Sequence, residues 1–318
     1  MSKEFVIGVD LGGTNTVFGI VDKEGNILKE SSIPTKAFAT ADEFADAGAE
    51  AVRKMLGESG ISITQIQGMG IGAPNGNYHT GEIVNAANLR WKGIVPLGKM
   101  MTERLGIKTV VTNDANAAAI GEMKYGVAKG MNDFIEITLG TGVGSGIVAN
   151  GQLIYGHDGF AGELGHVIHV RGKEGRPCGC GRTGCLECYC SATGVARTAK
   201  EMLTNTDKPS SLRDIPLEQL TSADVGKAAA NGDSLAKEVM DFTGTMLGEA
   251  CADYAAFSSP EAFIFFGGLV RAGDLIMKPI EKAYNENALS LYKGKPKFLV
   301  SSLMDKNAAV LGAAALGW

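Results

Sequence analysis

The sequence predicts an α/β protein built from two similar halves that face each other across a cleft. Three observations carry this. A strand, a hairpin rich in Gly and Thr, and a second strand occur near residues 5–21 and again near residues 133–149, the mark of an internal duplication. Helix-period segments and short apolar runs follow each copy. The length of 318 residues predicts about two domains.

The elements follow in order. Phe5–Val9 and Val17–Val21 read as strands joined by Asp10-Leu-Gly-Gly-Thr14-Asn15-Thr16, and Asn26–Ile33 as a third. Thr40 and Glu43 form a capping-box pair, positions 44, 48, 51, 52, 55 and 56 share one helix face, and Gly57 stops that helix. Ile66–Ala73 is a strand ending at Pro74, and Pro96–Leu105 a helix with Pro at its start and Gly106 at its end. Strand Lys108–Thr112 delivers Asn113-Asp114 to its C-terminal end, and Asn116–Lys124 continues as a helix. Asp133–Thr138 is a strand, Leu139–Gly146 a turn, and Ile147–Ala149 the start of another strand. Helices are expected at Thr193–Leu203, about Asp233–Phe257, Leu275–Leu291 and the Ala-rich Asn307–Leu316, strands at Ala262–Phe266 and Phe298–Ser302, and a polar surface connection at Thr206–Pro216.

Composition narrows the class. Hydrophobic residues at 45% and charged residues at 20% are ordinary for a soluble globular protein. A net charge of −5 gives no nucleic-acid or anionic-membrane footprint. The longest uncharged stretch, Ile137–Gly156, is Gly-rich and reads as strand-turn-strand rather than a membrane span. Six Cys with no targeting segment at the start favour a reducing cytoplasm over a disulfide scaffold.

One stretch concentrates chemistry. Glu163-Leu-Gly-His166, then Cys178-Gly-Cys180 and Gly184-Cys185-Leu-Glu187, place one imidazole and three thiols close together in sequence. That is a complete tetrahedral set for structural Zn²⁺. Gly179, Gly181 and Gly184 let the backbone turn tightly around a small ion. The alternative is a set of free or buried loop thiols. Cys188 and Cys190, just beyond the cluster, are core thiols or else competitors for the metal, and Cys251 reads as packing.

Two Gly hairpins suit a nucleotide tail. In the first, Gly12 and Gly13 allow backbone N–H groups close to phosphate, Thr14 adds a hydroxyl, and Asp10 can hold Mg²⁺ directly or through water. In the second, Thr141 and Gly142 lie in Gly140-Thr-Gly-Val-Gly144. Each alone is equally an ordinary turn; neither is a Walker A or a Rossmann loop. Gly267-Gly268, after a buried strand, offers a flat face for adenosine or else close helix–strand packing. Asp114 is a candidate base for a substrate hydroxyl, with a helix N-cap as the alternative. Asn88, Asn113, Glu163 and Glu187 together can hydrogen-bond several hydroxyls of a polyol.

Taken together these motifs resemble the ROK family of sugar kinases and repressors, and its glucokinase branch in particular, over nearly the whole chain. Asp10-Leu-Gly-Gly-Thr14 is similar to the family's first phosphate motif, Leu139–Gly144 to its second and Phe266–Gly273 to its adenosine motif. The resemblance implies an actin-like fold of two ribonuclease-H-like halves, with a smaller domain of residues 1–113 plus 305–318 and a larger one of 114–304. It implies that His166, Cys178, Cys180 and Cys185 bind zinc, that Asp114 is the catalytic base, and that Asn88, Asn113, Glu163, His166 and Glu187 hold the sugar. His166 then serves twice, since a zinc-bound imidazole keeps a second nitrogen for a ligand. Pro74-Asn75-Gly76-Asn77 departs from the commoner Pro-Gly, and the resemblance does not give this loop's contact.

The expected activity is ATP-dependent phosphorylation of a hexose, foremost glucose to glucose 6-phosphate. N-acetylmannosamine, N-acetylglucosamine, fructose or mannose as acceptor, and polyphosphate as donor, are the alternatives. A sugar-sensing repressor fits less well, because nine residues precede Asp10 and the chain is acidic. The resemblance also implies a cytoplasmic homo-oligomer, dimer or tetramer, with no nucleic-acid or membrane partner.

Overall fold

The computed structural model describes residues 2–86, 88–304 and 307–318. Strands β1 (Phe5–Leu11), β2 (Thr16–Asp22) and β3 (Ile27–Ile33) form an antiparallel meander. Helix α1 (Ala41–Ser59) leads to β4 (Ile66–Gly72), which runs parallel to β1. A small hairpin of β5 (Ile83–Val84) and β6 (Ile94–Val95) precedes α2 (Leu97–Leu105), β7 (Thr109–Thr112) and α3 (Asp114–Tyr125). The first sheet has the order β3-β2-β1-β4-β7.

The second half repeats this plan. Strands β8 (Phe134–Leu139), β9 (Val143–Ala149) and β10 (Gln152–Leu153) form another antiparallel meander. A long insertion carries α4 (Glu187–Cys190), α5 (Ala192–Asn205), α6 (Ser222–Ala230) and α7 (Ser234–Ser258). Strand β11 (Ala262–Phe266), helix α8 (Asp274–Asn287), strand β12 (Lys297–Val300) and helix α9 (Ala308–Ala315) complete the chain. The order β10-β9-β8-β11-β12, with β8, β11 and β12 mutually parallel, matches the first sheet strand for strand. The duplication therefore extends from the hairpins to the whole five-stranded topology.

Helices α3 and α9 pack on each other between the sheets, α9 against β1 and β4 and α3 against β8 and β9. Glycines make this possible. A Cβ on Gly8 or Gly70 would overlap the α9 backbone, and one on Gly121 would lie 2.8 Å from Gly312 Cα. Separate apolar cores fill the two halves, one around α1 and the first sheet, the other around α7 and the second. No helix among the described residues is long and apolar enough to cross a membrane.

Element ends differ from expectation for local reasons. The Thr40/Glu43 capping box forms, but α1 runs through Gly57 and stops at Gly60, whose φ of 65° only glycine adopts freely. Helix α3 starts at Asp114, two residues early, because Asn113 caps it by accepting the Ala115 N–H at 2.8 Å. Strand β9 begins at Val143, not Ile147, since Gly144 and Gly146 are strand residues packed beneath Ala115 and Ala119. Helix α8 ends at Asn287 rather than Leu291. Helix α6 was not anticipated, although Thr221 and Asp224 form its capping box.

Candidate active site

The end of β1, the start of α3 and the β8–β9 hairpin converge on one cleft of about 530 Å³, whose lining does not include Gly12, Gly13 or Thr14. Asp10, near the end of β1, and Asp114, the first residue of α3, line it from one side. Asn88 also lines it, as do Thr141, Gly142, Glu163, His166, Glu187 and Gly267 of the second half. Asn113 borders a chamber of about 40 Å³ that shares Asp114 and Glu163 with the cleft. Gly12, Gly13 and Thr14 form the tip of the β1–β2 hairpin, where Asn88 covers Gly13; a Cβ there would lie 2.8 Å from the Asn88 carbonyl.

Gly267 and Gly268 have different surroundings. Gly267, at φ 115°, packs against the Leu139 backbone, so close approach explains it. Gly268 opens onto a second cavity of about 630 Å³ that adjoins the cleft through Thr141. Ser222, Gly226 and Lys227 of α6 form its far wall. These residues escaped the sequence reading, although the capping-box pair marked their helix.

The cleft holds a dense group of carboxylates. Burial, then the nearby Asp114, raises the Asp10 pKa from 3.8 to about 6. Burial also raises Asp114, partly offset by the Ala115 N–H, which donates to Asp114 Oδ1 at 2.9 Å. Glu163 is raised first by burial; His166 opposes the shift, and Asp114 and Glu187 add to it. Such a site favours cations, hydroxyl donors and proton acceptance.

The His/Cys set comes together as expected. The four ligand atoms of His166, Cys178, Cys180 and Cys185 lie within 4.8 Å of one another. Cys180 Sγ and Cys185 Sγ are 3.7 Å apart, and Cys178 Sγ lies 3.8 Å from His166 Nδ1. A tetrahedron with metal–sulfur bonds of about 2.3 Å has an S···S edge of about 3.8 Å, which the Cys180–Cys185 pair already matches. Nδ1 faces the thiols, which leaves Nε2 as the second nitrogen of a ring that also lines the cleft. Cys188 bonds instead to the Pro177 carbonyl, and Cys190 and Cys251 are buried in the core.

Glu187 is tied to the second hairpin: its Oε2 accepts the Val143 N–H at 3.0 Å. Its Oε1 lies 3.7 Å from Cys178 Sγ, a hydrogen bond only while that thiol is protonated. Gly142 makes room for it, since a Cβ there would overlap Glu187 Oε2. The Val143 contact was not legible in the sequence.

Two hairpin-bearing sheets around a carboxylate-lined cleft define a phosphoryl-transfer enzyme acting on a polar small molecule. Residues 6–317 match the ROK family, and the chain belongs to it. Among its relatives, a glucokinase of Halalkalibacterium halodurans is 38% identical over 100% of this chain and 95% of its own length. A glucokinase of Thermotoga maritima is 33% identical over 99% and 98%. The solved structure of a ROK family glucokinase from Streptomyces griseus, in complex with glucose and AMPPNP, superposes with a TM-score of 0.79 at 34% identity over 98% of each chain. The fold is accordingly actin-like.

Proposed function

We propose that the protein transfers the γ-phosphoryl group of ATP to glucose, forming glucose 6-phosphate. One observation carries the reading: Asp10, Asp114, the Thr141-Gly142 hairpin, Glu163, His166 and Glu187 all line a single cleft. The glucokinases it resembles over their full length support the choice of sugar.

In this reading the adenosine of ATP occupies the cavity beside Gly268 and α6, and its phosphates extend past Thr141 and Gly142 towards the β1–β2 hairpin. Glu163, Glu187, His166, Asn88 and Asn113 bind the sugar hydroxyls. Asp114 accepts the proton of the primary hydroxyl as that oxygen attacks the γ-phosphorus in line and the bond to the β–γ bridging oxygen breaks. Its raised pKa suits a group that takes up a proton during the reaction. Asp10, which lines the cleft, would hold Mg²⁺ directly or through water, and the ion would offset charge on the phosphoryl oxygens. The zinc set has four protein donors and no open position, so its role is structural. We assign the enzyme to the cytoplasm as a homo-oligomer.

Initial rates with glucose, mannose, fructose, N-acetylglucosamine and N-acetylmannosamine, each with ATP and with polyphosphate, test this directly. Glucose with ATP should show the highest kcat/KM; another pair in first place replaces the assignment. Asp114→Asn should lower kcat about 10²–10⁴-fold with glucose affinity little changed. Near wild-type turnover in that variant would remove Asp114 as the base.

A further inference from the structure

The Asn75–Thr80 loop joins the two halves at the sugar end of the cleft. It follows β4 in the first half, yet its side chains reach the segment after β10 in the second. Asn77, only 3% exposed, donates its Nδ2–H to the Asp158 carbonyl at 2.6 Å. His79 Nε2 lies 2.9 Å from the Gly156 carbonyl. The Tyr78 ring stacks on Tyr155 with centroids 3.9 Å apart and planes within 7°.

The segment so held is the one that presents Glu163. Gly156, Gly159 and Gly162 all have φ between 76° and 96°, so its backbone has little intrinsic preference for one path. A Cβ on Gly159 would lie 2.6 Å from the Asn77 amide, so the loops meet at close range. The other end of the clasp is anchored beside the base. Gly76 sits on the Thr112 carbonyl, and Thr112 ends the strand that leads to Asn113 and Asp114. Asn75 and Gly76 from one loop and Phe160 and Gly162 from the other then wall the chamber that holds Asp114 and Glu163.

We infer that Asn77, with His79 and Tyr78, forms a cross-cleft clasp that positions Glu163 against Asp114 and so sets affinity for the sugar. These are positioning residues: they act through the Glu163 loop.

Asn77→Asp isolates the clasp. The aspartate keeps the Oδ1 that accepts the His79 and Thr80 N–H groups at 2.9 and 3.2 Å, so the loop's own turn survives. It loses the donor to Asp158. His79→Ala removes the second bond, and His79→Gln restores a donor at the position of Nε2. In sugar-free full-length protein, amides 156–164 should exchange hydrogen at least about fivefold faster in Asn77→Asp than in wild type, while amides of the α7 core exchange at the wild-type rate. KM for glucose should rise about tenfold, the loss of one buried hydrogen bond, while kcat and KM for ATP stay within about twofold. His79→Ala should act in the same direction and His79→Gln should recover most of the loss. Unchanged exchange at 156–164 in Asn77→Asp overturns the clasp. Equal rises in both KM values with faster exchange in the α7 core overturn it too, by showing general destabilisation. The kinetic arm rests on the glucose reading. A wild-type protein that does not phosphorylate glucose would strike that reading alone, and the exchange arm would still decide the clasp.

Discussion

Replacing Asp10 with Asn should make the protein more stable and far less active. Asp10 lies near the end of β1 beside another carboxylate, and no hydrogen-bond donor among the described residues reaches its side chain. Burial, then Asp114, raises its pKa from 3.8 to about 6, so folding disfavours the ionised form. The sign follows. The group's stabilising contribution is complete below about 3.8 and is lost as pH rises through about 6. At pH 7.5 the folded chain therefore carries a penalty of about two pKa units, roughly 3 kcal/mol at 1.36 kcal/mol per unit. The side chain opens onto the cleft, and solvent screening reduces this to about 1–2 kcal/mol. Asn has no charge to desolvate, so Asp10→Asn should gain that amount at neutral pH and almost nothing near pH 4. A chain of 318 residues has an unfolding entropy of roughly 0.7 kcal/mol/K, which converts the gain to a Tm rise of about 1.5–3 °C. Calorimetry at pH 7.5 and pH 4, without added magnesium, measures it. Turnover should fall at least about 100-fold, since a charged partner of the phosphoryl group is gone. Loss of stability at pH 7.5, or an equal gain at both pH values, would refute the reasoning and make Asp10 a structural residue.

Two further outcomes follow from the geometry. Gly142→Ala places a methyl group where Glu187 Oε2 now sits, so Glu187 must move and glucose KM should rise about tenfold or more; steady-state kinetics with the sugar varied at saturating ATP checks this. Elemental analysis should find about one zinc per chain, and chelation should weaken glucose binding, followed by calorimetric titration, before it weakens nucleotide binding; full activity in a preparation without zinc would refute the assignment.

How much of this was legible in the sequence depends on distance along the chain. The paired hairpins announce themselves because Asp10-Leu-Gly-Gly-Thr14 and Leu139–Gly144 each fit within one turn. The metal set is equally local, with Cys178, Cys180 and Cys185 inside eight residues. Glycine is where local reading fails, because one residue type marks a stop, a turn or a close approach. Gly57 reads as a helix end and lies inside one; Gly144 and Gly146 read as a turn and lie in a strand beneath α3. The convergence of Asn88, Asp114, Glu163 and Glu187 shows only as suitable chemistry, since tertiary structure alone brings them to one cleft. The Asn77–Asp158 contact spans 81 residues and carries no local signature at all.

Glu187 links the sugar wall to the phosphate hairpin, which raises the question of why metal loss should fall on the sugar side. Besides the Val143 N–H on Glu187, Ala192 N–H donates to the Gly140 carbonyl at 2.8 Å and the Thr193 hydroxyl to the Thr141 carbonyl at 3.0 Å. The α4–α5 junction and the β8–β9 hairpin are therefore joined at three points. The two partners are not equally supported. The hairpin is also held by its own ladder, from Phe134 opposite Val148 to Leu139 opposite Val143. Glu187 opens a helix of four residues two positions after Cys185, too short to hold itself. If the thiolates separate, the ladder keeps Thr141 and Gly142 in place while Glu187 and the His166 ring lose their anchor. On the proposed reading, the metal loop thus stabilises recognition of the sugar, and the strand ladder independently stabilises the grip on phosphate.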